Sequence, residues 1–121
     1  MREVLLLLGE GDVVLWSDAS DSPVYLPDSR ARWEAIWTRR HHIVEIAHSH
    51  PVGPLAFSRE DETTMDALVS GLGRRVRFSV VAPNGLLRRG EDGTLGTVRD
   101  RTREPWWAAL LRLASGMNPI P

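Results

Sequence analysis

The chain has 121 residues, enough for one small domain, with 42% hydrophobic and 26% charged residues and a formal net charge of −1. That balance supplies no field to hold nucleic acid or an anionic membrane, and the lack of cysteine excludes disulfides and thiolate metal ligands. No apolar run approaches the roughly 20 residues of a membrane span, and Val4 to Leu8 is too short for a signal-peptide core, so a cytoplasmic protein is expected.

Val4-Leu5-Leu6-Leu7-Leu8, then Gly9-Glu10-Gly11-Asp12, then Val13-Val14-Leu15-Trp16 reads as a hairpin. Its first strand has no polar alternation, which predicts burial on both faces. Ser17 to Ser29 is rich in Ser, Asp and Pro and reads as a loop. A short helix follows, capped by Asp28 or Ser29, with Trp33, Ile36 and Trp37 as its apolar stripe. Ile43 to His50 is a second strand core, and Pro51 to Phe57 is a loop. Ser58 to about Leu72 is a helix stopped near Gly71 and Gly73. Val76 to Ala82 is a strand, turned by Pro83-Asn84-Gly85 into another near Leu86 to Arg89, and Glu91-Asp92-Gly93 turns again. A last helix spans about Glu104 to Ser115, with Pro105 early and Gly116 beyond its end. Trp106, Leu110 and Leu113 share one face of it and Trp107, Leu111 and Ala114 another. A helix apolar on two faces reads as core or, where it is not fully buried, as a dimer or partner surface.

The chemistry concentrates in His48-Ser49-His50 and, seven residues on, Ser58-Arg59-Glu60-Asp61. Side chains alternate along a strand, so His48 and His50 point the same way and can share one ion. Ser58 suits a helix N-cap, which puts Asp61 in the first turn, on the face of Met65, Leu68 and Leu72. A carboxylate turned inward there needs a partner. Ser-x-x-Asp is also a capping box, which accounts for Ser58 and Asp61 without a metal. The combination favours one zinc per chain, held by His48, His50 and Asp61, with a water in the fourth tetrahedral position. His41 and His42 are poorer ligands, since chain neighbours point apart. A general base outside the ligand set is also needed. Glu45 has the wrong strand parity, Glu10 sits in a turn and Glu34 on an exposed helix position, which leaves Glu3, at the mouth of the buried strand, as the first choice.

His48-Ser49-His50-Pro51, the seven-residue gap and Ser58-x-x-Asp61 resemble the signature of the JAMM (MPN+) zinc metalloproteases of the JAB-domain family, here as a bacterial-type minimal domain. The segment Glu3-Val4-Leu5-Leu6-Leu7-Leu8-Gly9 is similar to the family's glutamate followed by an apolar strand. The resemblance implies an α/β (α+β) fold, a curved mixed β-sheet flanked by helices, of the cytidine-deaminase-like JAB/MPN type. It covers residues 3 to 91 of one domain spanning 1 to 121. It implies zinc on His48, His50 and Asp61, a proton shuttle at Glu3 and oxyanion support from Ser58. Family members usually carry a helix before the glutamate; either that helix is missing here or the C-terminal helix takes its place.

The implied activity is hydrolysis of an amide bond at the C-terminus of a ubiquitin-like protein or its conjugate, in company with conjugation enzymes. No nucleic-acid or membrane partner is expected, and a homodimer through the Trp-rich helix is the alternative use of that surface. An extended tail is expected to pair with a strand beside the site, and only small residues are expected to pass between the Pro/Gly loop and the helix bearing Asp61. Two other readings compete. HSHPVGPLAFSRED is also similar to RadC-like proteins associated with DNA repair, which usually carry Asn at the position of Ser49. A metal-free MPN-type scaffold would have no need of the full ligand set.

Overall fold

The computed structural model describes residues 1–24 and 26–117. Among them, six strands form one mixed sheet: β1 (Val4–Gly9), β2 (Val13–Ala19), β3 (Glu45–Ser49), β4 (Arg77–Ala82), β5 (Gly85–Arg89) and β6 (Leu95–Val98), in the order β2-β1-β3-β4-β5-β6. Three α-helices flank it: α1 (Arg30–Thr38), α2 (Arg59–Leu72) and α3 (Trp106–Ser115). This is an α+β fold of the expected kind. No helix among the described residues is long and apolar enough to cross a membrane.

The local reasons are those of the sequence. β1 is buried along its whole length because it lies between β2 and β3 and is covered on both faces. Gly11 and Asp12 turn it into β2 with positive φ at both residues. Neighbouring strands are antiparallel except β3 and β4, which are parallel and joined by α2 as a crossover. Ser58 and Asp61 form a reciprocal capping box at the start of α2, and Gly73 ends it in the left-handed conformation.

The sheet divides the core in two. On one face Leu5, Leu7, Ile46 and Phe78 meet Ile36 of α1 and Met65 and Leu68 of α2. On the other, Val4, Leu6, Leu8, Ala47 and Val81 pack against Trp107, Ala108 and Leu111 of α3. The indole N–H groups of Trp106 and Trp107 both donate to Asp12, fixing α3 on the first hairpin. A buried hydroxyl chain crosses this second layer: Ser115 Oγ donates to Ser49 Oγ, which also accepts from the Val4 N–H.

Two expectations change and one strand is new. The stripe on α1 is Arg32, Ala35 and Ile36; Trp33 is 39% and Trp37 58% exposed, with Arg40 stacked over the Trp37 ring. α3 buries Trp107 and Leu111 but leaves Trp106 58% and Leu113 79% exposed, so it is core on one face only. β6 went unforeseen, being short and with three of its four residues exposed.

Candidate metal centre

The register of β1 against β3 sets Leu5 opposite His48. Glu3, two residues upstream, is therefore on the His48 face, beyond the end of the pairing and near His50. Its backbone is pinned by the Ser22 carbonyl and the Ser20 N–H. His50 lies one residue past β3, and its N–H still bonds the Val81 carbonyl, so the extended path continues and parity holds. Pro51 then ends the strand, and the chain turns through a loop that delivers Ser58 and α2. The cluster thus sits beyond the carboxyl end of β3, beside the first turn of its crossover helix, where α/β sheets commonly build sites.

The distances are short. His48 Nε2 and His50 Nε2 are 3.1 Å apart. Asp61 Oδ1 is 3.2 Å from His48 Nε2, and Asp61 Oδ2 is 3.3 Å from His50 Nε2. Glu3, His48 and His50 offer ligand atoms that all lie within 4.8 Å of one another. His50 Nδ1 is 2.9 Å from the Pro54 carbonyl, which can only accept; Nδ1 is therefore the protonated nitrogen, and Nε2 of the neutral ring presents its lone pair. Without an ion the two Nε2 atoms and the Asp61 carboxylate share protons; a cation would take their place if both rings turned an Nε2 lone pair to it. Tetrahedral zinc ligands at roughly 2.0 to 2.1 Å from the ion stand about 3.3 Å from each other. The observed separations match that edge, so the donor set fits a divalent cation.

The capping box does not compete with this role. Asp61 Oδ2 accepts the Ser58 N–H at 2.8 Å, and Ser58 Oγ accepts the Asp61 N–H at 3.0 Å. A carboxylate has about four lone-pair sites, enough for both tasks. Ser58 is exposed at the mouth and keeps its hydroxyl proton free to donate. Electrostatics follow the crowding. Burial would raise the Asp61 carboxyl, but hydrogen bonds from His48, His50 and the Ser58 backbone hold it well below the usual carboxylate range. Burial pushes Glu3 up, with the two imidazoles pulling it partly back. Burial opposes protonation of His50, yet its bonds to Asp61 and the Pro54 carbonyl carry it above the ordinary value.

The other glutamates are elsewhere. Glu45 is buried on the opposite face, where Ser79, Arg77 and Arg88 engage its carboxylate. Glu34 pairs with Arg30 at the surface, and Glu10 is in the exposed hairpin turn. Among the described residues β1 and β3 are each flanked on both sides and the sheet's edges are β2 and β6, so the expected strand pairing with a substrate tail finds no free edge at the cluster. A cavity of about 460 Å³ opens at the cluster and runs between α1 and α2. Neither this cavity nor the orienting Pro54 carbonyl carries a signal in the sequence, since both arise from how the loop and α1 are placed.

The model of a family described as prokaryotic homologs of the JAB domain matches residues 5–98. No curated protein matches the chain.

Proposed function

The chain belongs to the family of prokaryotic JAB-domain homologs, and on that premise we propose that it is a zinc-dependent hydrolase of amide bonds at the C-terminus of ubiquitin-like proteins or their conjugates. The observation that carries the reading is the convergence of His48, His50 and Asp61, the two Nε2 atoms 3.1 Å apart and each within 3.3 Å of a different Asp61 oxygen, with Glu3 alongside. In it, His48, His50 and Asp61 are the ligands and Glu3 stays outside the set. A zinc ion held there supplies a Lewis acid and a water of lowered pKa.

The remaining work falls to the chain. Asp61 is kept ionised by its two imidazoles, and the Pro54 carbonyl holds the His50 ring with Nε2 facing the cluster. Glu3, raised by burial, is suited to take a proton from the attacking water and return it to the departing amine. The free hydroxyl proton of Ser58 meets the carbonyl oxygen as negative charge develops on it. Ser58 N–H cannot share that task, because Asp61 already occupies it.

The test is incubation of zinc-loaded protein with ubiquitin-like proteins carrying C-terminal extensions or amine conjugates, with products identified by mass spectrometry. Cleavage at the modifier's C-terminus, abolished by a chelator, is the expected result. Zinc binding without cleavage of any such substrate would defeat this reading, and neither zinc nor cleavage would leave the metal-free scaffold in its place.

A further inference from the structure

We propose that the cavity between α1 and α2 binds a bulky apolar side chain attached directly beside the amide presented to the cluster; the inference rests on the hydrolase reading above and specifies its substrate. The cavity opens at Glu3, His48, His50 and Asp61, so a group inside it is continuous with an amide at the cluster. Its deep walls are Leu5, Ile36, Ile46, Met65, Leu68 and Phe78, all buried members of the first core layer. At about 460 Å³ it falls within the range of roughly 300 to 1,000 Å³ typical of small-ligand sites. A glycine beside the scissile bond would leave it to water that finds few polar partners on such walls.

Charge does not compete as the recognised feature. Arg32 in the wall is already engaged by Asp18 Oδ2 at 3.0 Å and the Pro27 carbonyl at 2.7 Å. Asp28 and Glu60 are exposed at the rim and disfavour an anion. What remains is burial of apolar surface, which gains about fourfold in affinity per methylene.

The experiment compares N-acetyl-leucine methylamide with N-acetyl-glycine methylamide on metal-free protein, following amide shifts by NMR titration, so that hydrolysis plays no part. The leucine probe is expected to bind at least tenfold tighter, with the largest shifts at Leu5, Ile36, Ile46 and Leu68. Thr64→Trp adds bulk from an exposed position on the cavity wall and should cancel the preference without disturbing the core; Ile36→Phe, filling from within, should do the same. Equal affinity of the two probes, shifts elsewhere, or a preference that survives Thr64→Trp overturns the proposal. In a second arm, zinc-loaded protein meets peptides bearing Leu or Gly on the acyl or the amine side of the bond. Faster cutting with Leu on either side supports the proposal and identifies that side. Fastest cutting with Gly on both sides overturns it while leaving the hydrolase intact. Loss of all cutting with the leucine preference retained removes the hydrolase reading alone.

Discussion

Glu45 tests whether the two buried glutamates have been assigned to the right tasks. Its carboxylate is 1% exposed and accepts from Ser79, Arg88 and Arg77. Glu45→Gln keeps the shape but removes the charge and turns an amide N–H₂ toward those donors. Hydrogen bonds to charged groups contribute about 1.5 to 3 kcal/mol, and stranding a buried partner costs about 3 to 5. Here the Arg77 and Arg88 side chains are 36% and 34% exposed and can rehydrate, so no charge is stranded. The loss should lie near 3 kcal/mol. A chain of 121 residues unfolds with about 0.25 kcal/mol/K of entropy, so Tm should fall by about 12 °C. Calorimetry reads the shift, and metal analysis should find zinc unchanged. Zinc or activity lost at an unchanged Tm would place Glu45 in the site and defeat the face assignment.

Further outcomes can be checked alongside it. Purified protein supplied with zinc should hold about one ion per chain, and His48→Ala or Asp61→Ala should strip it, as measured by elemental mass spectrometry. Glu3→Gln should retain zinc and lose about 10² to 10⁴ in rate; loss of the metal would make Glu3 a ligand. Ser58→Ala should cost about 1 kcal/mol through the lost cap, read by thermal melt, together with a fall in kcat beyond what that loss of stability explains. Leu113→Asp, on the exposed face of α3, should shift any dimer to monomer in sedimentation without changing Tm appreciably; a wild-type monomer at high concentration would retire the dimer.

Much of the candidate metal centre was legible because its determinants are local. Strand parity fixes His48 and His50 on one face whatever the tertiary context, and a Ser-x-x-Asp cap places Asp61 in the first turn of any helix it starts. Glu3 was reachable from the residues only weakly, as the glutamate hardest to explain otherwise, and more firmly through the resemblance of the Glu3 to Gly9 segment to the family's glutamate and strand. Burial of α1 was not legible, since it depends on what faces the helix. Apolar spacing nominated Trp33 and Trp37, but α1 stands apart from α2 across the cavity, so Trp33 lines that open space and Trp37 meets solvent. Strand pairing was legible for β1 and β2, joined by a tight turn, but no local pattern reveals which strands end at the sheet's edges.

The hydroxyl chain through the sheet ties the front of the molecule to its back. Ser115, at the end of α3, holds Ser49, and Ser49 holds the backbone of Val4, the residue next to Glu3. Arg2 is fastened to the Ser115 carbonyl on the other side of Glu3. The proposed base is thus moored at both neighbours to a helix that never touches the cluster's face. A random search for inactive variants will therefore return hits on the far side of the protein, at Ser115 and Ser49.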